Sequence, residues 1–271
     1  MPDSAVLSDS TLTRRQRQTW ASGDFSMVAA TTTIVGELLC ESVDLRSDEK
    51  VLDVATGSGN TALAAARRFC DVIGVDFVPS LLERARDRAA VERLTARFEE
   101  GEAENLPFAI GAFDVVLSSF GVMFASNAKR AAKELLRVCR AGGRIGLAHW
   151  TPDSFIGEVQ RVSARYAPPS DAPSPLLWGT EAWVRELLGD GVTSLVATRR
   201  TCLMRYKSVQ HWMAFTRTYL GPVRQLLESL EPEGQKRIAG EVGEVARRFN
   251  HSGDDTMAVP ADYLEIVATR R

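Results

Sequence analysis

Gly57, Gly59 and Ala62, within VLDVATGSGNTALAAARRF, mark a bend where backbone without bulky side chains could approach a ligand closely. The spacing fits a dinucleotide-binding fingerprint, which admits Gly or Ala at its third position, but other adenosine ligands also use such a turn. Three acidic residues separate these readings. Asp53 lies inside the preceding apolar segment, four positions ahead of Gly57, where a nicotinamide-binding turn requires no carboxylate. There it could offer a ligand ammonium group a charge-assisted hydrogen bond. Asp76 ends the next apolar segment, VIGVDF, where a carboxylate can accept two hydrogen bonds from ribose hydroxyls. That implies an adenosine and no more. Glu102, in GEAENLPF, could meet the exocyclic amine of adenine.

The elements that would hold these residues alternate along the chain. Helical periodicity over 20–40 leads into a strand at Val51–Ala55, a helix over 61–69, a strand at Val72–Phe77 and a helix over 80–92 with Ser80 placed to cap it. Strands at Ala96–Glu100 and Phe113–Ser118, a helix over 127–140, a turn at Ala141-Gly142-Gly143 and a strand at Arg144–Trp150 follow. Five strands interleaved with helices predict right-handed crossovers and a doubly wound parallel sheet covered on both faces. After Thr151, helices over 155–166 and 180–188 flank the proline-rich APPSDAPSP and read as a lid near the carboxyl ends of the strands. A β-rich Ser194–Tyr206, two helical stretches over 208–250 and a strand at Asp262–Thr269 predict an antiparallel pair completing the sheet edge.

Composition limits the partners. Thirty-three basic residues against thirty-five acidic ones give a formal charge of -2, without the basic excess of a nucleic-acid binder. Cys40, Cys70, Cys139 and Cys202 are widely separated with no metal-ligand spacing. They read as reduced, mostly buried thiols of a cytoplasmic protein without a bound metal. No signal-like apolar core opens the chain and no apolar run reaches membrane-spanning length. Arg14, Arg15 and Arg17 read as the solvated start of a helix.

VLDVATGSGN, VIGVDF, GEAENLPF, FDVVLSSFGVMF and LLRVCRAGGRIGL, in that order over 50–150, resemble the consecutive motifs of class I S-adenosylmethionine-dependent methyltransferases. They are most similar to those of the ubiquinone/menaquinone-biosynthesis C-methyltransferases and related small-molecule enzymes. The resemblance implies an α/β, Rossmann-like, mostly parallel seven-stranded sheet with an antiparallel edge and a helical lid. It implies one domain over 1–271, in which 1–49 close over the cofactor, 50–150 hold it and 151–271 supply the lid and last strands.

By the same resemblance, Asp53 would sit near the methionine ammonium, and the backbone of Ala55, Gly57, Ser58 and Gly59 would wrap the methionine and ribose. Asp76 would hold the ribose, Phe77 would pack on adenine, and Glu102 with the backbone of Ala103 would read the adenine edge. Ser119 and Phe120 would line the methionine side. Trp20 opens a W-x-x-G-D-F stretch that looks like the relatives' W-x-x-G-D-Y closing segment, with Phe25 in place of the tyrosine.

The implied activity is methyl transfer from S-adenosylmethionine, leaving S-adenosylhomocysteine, to a small planar or hydrophobic acceptor through carbon, oxygen or nitrogen. SSFG stands where N-P-P-Y-type tetrapeptides mark amide- and base-directed enzymes, so nucleic acid is not expected as a partner. The alternatives are a nicotinamide-dependent oxidoreductase and an S-adenosylmethionine-binding protein of other chemistry. A base is needed only if the acceptor must lose a proton. His149, ending the fifth predicted strand, is the first choice, and His211, in SVQHWMAFTRTYL, the second.

Overall fold

The computed structural model describes residues 14–169 and 172–271. The opening MPDSAVLSDSTLT, where no leader is expected, and Ser170–Asp171 of the proline-rich link lie outside the described residues. The strands are β1 (Lys50–Val54), β2 (Asp71–Asp76), β3 (Arg97–Glu100), β4 (Phe113–Ser119), β5 (Cys139–Trp150), β6 (Val192–Tyr206) and β7 (Met257–Arg270). They form one sheet in the order β3-β2-β1-β4-β5-β7-β6. The first five are parallel, and β7 runs antiparallel to both β5 and β6. This is the predicted mostly parallel sheet with an antiparallel edge.

Burial explains the strand patterns. Val51, Leu52, Val54, Val115, Val116 and Leu117 are all buried, so β1 and β4 do not alternate, as befits strands covered on both faces. At the edge, β6 alternates: Cys202 and Met204 are buried while Val196 and Leu203 are exposed. The first crossovers use α4 (Asn60–Ala66) and α5 (Pro79–Glu92), and α6 (Ala128–Val138) joins β4 to β5. Ser80 does not cap α5: Pro79 takes the first helical position, where its missing N–H is no loss, and Val78 stands at the cap.

The single helix predicted over 20–40 is three. Residues 14–21 form α1, then come α2 (Phe25–Ala29) and α3 (Thr33–Ser42), with a 3₁₀ turn at Ala30–Thr32 between the last two. Asp24 caps α2 by accepting from Ser26 N–H. Thr31, Thr32 and Thr33 each donate a side-chain hydrogen bond to the carbonyl three residues back, at Val28, Ala29 and Ala30, which competes with regular helix.

Beyond β5 lie α7 (Phe155–Ala164), α8 (Glu181–Leu188), α9 (Val209–Tyr219), α10 (Gly221–Glu228) and α11 (Pro232–Phe249). The two predicted late helical stretches are thus three helices, with Pro222 and Pro232 in the opening turns of the last two. The last strand begins at Met257 rather than Asp262. Tyr263 pairs with Trp150, but the β6–β7 register continues to Tyr206↔Met257, so this ribbon runs six pairs past the end of β5. Pro260 falls in that overhang, where β7 has no β5 neighbour, so one ladder donor can be spared. All four cysteines are buried and unpaired.

Candidate active site

The sheet reverses its winding between β1 and β4, the position at which open α/β sheets form a ligand crevice. Here the backbone bends sharply on both sides. Ala55 after β1 and Phe120 after β4 have φ of 54° and 56°, and Gly57 and Gly59 have 54° and 86°. A left-handed backbone is readily adopted by glycine and unusual for a residue as bulky as phenylalanine, so its clustering here points to a functional site. Gly121 is equally constrained, since a Cβ there would lie 2.6 Å from both the Cβ and the carbonyl oxygen of Ala55.

The crevice measures roughly 1030 Å³ counted out to its open mouth. Trp20, Ala55, Gly57, Ser58, Asp76, Phe77, Glu102, Ala103, Ser119 and Phe120 all line it. Gly59 stands just behind, at the cap of α4. Asp76 is buried on the floor, its Oδ2 accepting from Gly57 N–H at 2.9 Å and its Oδ1 from Val78 N–H at 2.9 Å. Each carboxylate oxygen keeps a further acceptor site. Burial pushes this carboxyl up to about 6, against the lowering effect of those amides. Glu102 is exposed at the mouth, and Ser119 Oγ lies 2.6 Å from Thr61 Oγ1.

Three further predicted residues lie outside this lining: Asp53, His149 and the second-choice base His211, which stands on α9. Asp53 is buried beneath the turn and absent from the lining. Its Oδ2 accepts from Thr56 Oγ1 at 2.6 Å and from Ala62 N–H at 3.0 Å, tying β1 to the first turn of α4. Burial pushes it up to about 7. It therefore shapes the turn from below rather than facing a ligand ammonium. His149 is 0% exposed, with neither ring nitrogen hydrogen-bonded and its ring 5.1 Å from that of Trp178. Desolvation alone lowers it to about 3, so the imidazole is neutral and sealed from the crevice. The assignment of His149 as general base is corrected on this ground. Strand-end position was a poor guide because the side chain takes the face closed by Trp178.

Several lining residues escaped sequence reasoning, among them Gln16, Thr32, Asn60 and Phe124. Asn60 had a legible signal, closing the glycine bend: its Nδ2 donates to Ala29 O at 2.7 Å while its Oδ1 accepts from Arg88 at 2.8 Å. Gln16 and Phe124 had none, since they meet only in space, where Gln16 Nε2 donates to Phe124 O at 3.1 Å. Trp20 lies edge-on to Phe25 and Phe124, with centroids 5.3 and 5.0 Å apart. The Phe25 ring also reaches within 3.8 Å of where a Cβ on Gly57 would be.

The lining has one charge sign. Among the described residues its ionisable side chains are Asp76, Glu102 and Glu104, with no Lys, Arg or His. A negative, aromatic-walled crevice suits a cationic ligand and opposes a pyrophosphate. These features fit S-adenosylmethionine: acceptors for its ribose at Asp76, bare backbone at Gly57, and an acidic, aromatic-walled lining for a cationic ligand. Among the described residues no His, Cys, Asp and Glu cluster could hold a metal, and no helix is long and apolar enough to cross a membrane.

Comparison with known proteins agrees with the geometry. Residues 51–143 match the family described as a methyltransferase domain. An uncharacterized protein of Mycobacterium tuberculosis is 43% identical over 200 residues, 73% of each chain. A demethylmenaquinone methyltransferase of Thermus thermophilus is 35% identical over 154 residues, 51% of this chain and 70% of that one. The crystal structure of the YcgJ protein of Bacillus subtilis superposes with a TM-score of 0.60 at 20% identity, covering 86% of this chain and 97% of that one, a likeness of fold.

Proposed function

The chain belongs to the class I S-adenosylmethionine-dependent methyltransferases, and on that premise we propose that it methylates a small, planar or hydrophobic acceptor within the crevice above β1 and β4. The observation that carries this reading is a crevice that, among the described residues, sets Asp76 and Glu102 among five aromatic rings with no basic side chain in its lining. When bound, S-adenosylmethionine supplies a methyl carbon on a positively charged sulfur, with a neutral thioether as leaving group.

The residues of this chain then act mainly by position. Asp76 holds the ribose, with Gly57 and Val78 N–H fixing its carboxylate. Glu102 and Ala103 meet the adenine edge, Phe77 covers its face, and Ala55, Ser58 and Ser119 flank the amino-acid end. Trp20 and Phe25 close the crevice and exclude water. Alignment of acceptor and methyl group in near-attack geometry can supply on the order of 7–11 kcal/mol of the barrier. Four buried, unpaired cysteines support a reducing compartment, the cytoplasm, as the place of action.

Calorimetry tests the cofactor. S-Adenosylhomocysteine is expected to bind one per chain and NAD not at all. Binding of NAD alone overturns the reading in favour of an oxidoreductase. Transfer of labelled methyl to a small organic product in a cell extract tests the reaction itself, and consumption of cofactor without S-adenosylhomocysteine release would mark a different chemistry.

A further inference from the structure

The overhang of β6 and β7 packs its buried face near the 3₁₀ turn Ala30–Thr32 and α9. That face carries Tyr206, Met204 and Cys202 paired with Met257, Val259 and Ala261, all buried. At its foot, the Phe120 ring lies flat on Trp150, centroids 3.8 Å apart, and stands edge-on to Tyr263 at 5.8 Å. On α9, His211, Phe215 and Tyr219 recur at i, i+4 and i+8, and so share one side of the helix. The Tyr206 ring is 6.0 Å from His211 and 5.5 Å from Phe215, which is itself 4.9 Å from Tyr219.

Three polar atoms in this aromatic wall are buried without a hydrogen-bond partner: Tyr206 Oη, Tyr263 Oη and His211 Nδ1. Thr31 lies near the Tyr206 phenol but outside hydrogen-bond geometry, and its own hydroxyl donates to Val28 O at 2.8 Å. A buried donor or acceptor left unpaired destabilises a fold, so Tyr206 Oη and His211 Nδ1, on rings 6.0 Å apart, call for a molecule that pairs with both. The wall also meets the crevice at two points. Phe120 lines the crevice while packing on Trp150, and Thr32 lines it while the adjacent Thr31 lies by Tyr206.

From these contacts we infer that the aromatic wall formed by the 3₁₀ turn, the β6–β7 overhang and α9 is the acceptor-binding surface, adjoining the crevice at Phe120 and Thr32. It takes a flat, mostly apolar molecule with a hydroxyl-like group at one end, which Tyr206 and His211 hydrogen-bond. Phe215 and Tyr219 flank its ring. Tyr206 and His211 thus determine specificity, and the inference rests on the methyl-transfer reading of the neighbouring crevice.

Fluorescence titration with 2-naphthol and with naphthalene, with and without saturating S-adenosylhomocysteine, tests the subsite. The native protein is expected to bind 2-naphthol about tenfold more tightly than naphthalene, because only the hydroxyl finds partners. Tyr206→Phe and His211→Leu should each reduce that preference severalfold and leave S-adenosylhomocysteine affinity and the melting temperature in place, which shows that the variants fold. No binding of naphthol, its displacement by S-adenosylhomocysteine, or an unchanged hydroxyl preference in both variants overturns the inference. Failure of S-adenosylhomocysteine to bind while naphthol behaves as expected would instead remove the methyl-transfer reading on which the subsite's role depends.

Discussion

The end of β2 and the end of β5 each present a polar residue at the carboxyl edge of a parallel strand, and the fold treats the two in opposite ways. At β2, Asp76 turns into the crevice and is held by two backbone amides from the glycine turn and the following loop. At β5, His149 turns to the other face and is shut in beside Trp178 with no hydrogen-bond partner. One position is thus built for a ligand and the other for packing. Reaching the rim of a sheet does not bring a side chain into the site; the face it takes and the segment that covers that face decide.

The sharpest way to break this contrast is to remove Asp76. Asp76→Ala is expected to weaken S-adenosylhomocysteine binding by about 1.5–3 kcal/mol, the scale for hydrogen bonds to a charged group, as read by calorimetry. Affinity should also decline in the native protein as the pH falls through about 6, where Asp76 takes up a proton and loses acceptor capacity. A flat pH profile would take the ribose away from it.

His149 should betray itself in stability rather than catalysis. The unfolded side chain titrates near 6.5 and the folded one only near 3, so the unfolded state gains a proton first as the pH drops. Stability should therefore fall by about 2 kcal/mol between neutrality and pH 5. His149→Leu should abolish that loss in chemical denaturation while keeping cofactor affinity and turnover. A large drop in turnover alone would restore His149 to the site.

Asp53 gives the opposite slope. Its carboxyl is raised from 3.8 to about 7 in the fold, so the stability present at low pH is lost as the pH rises through 7. The expected loss is about 1 kcal/mol between pH 6 and 7.5, and Asp53→Asn should flatten it with little change in cofactor affinity. A tenfold loss of affinity would return Asp53 to the ammonium role.

The smallest effect concerns the Trp20 cover of the crevice. Gly221 packs so closely on the segment around Trp20 that a Cβ would clash with the backbone carbonyl oxygen of Thr19 and lie 2.9 Å from Ser22 Oγ. Gly221→Ala should speed S-adenosylhomocysteine dissociation severalfold in stopped-flow measurements, through a loosened Trp20 cover. An unchanged rate would separate the late helices from the cofactor.

The residues of β1, β2 and the glycine turn were legible in the sequence because local rules govern them. Apolar runs, bare-backbone spacing and a carboxylate after a strand all act over a few residues, and they located Gly57, Asp76 and the alternation of strands and helices. Tertiary structure decided the rest. It placed Asp53 under the turn, covered His149 with Trp178, carried β7 past Pro260 into an overhang, and brought Gln16 to Phe124 across 108 positions of chain. Such outcomes depend on which face packs against what, and that is set by contacts between segments far apart in sequence, where no local periodicity records the partner.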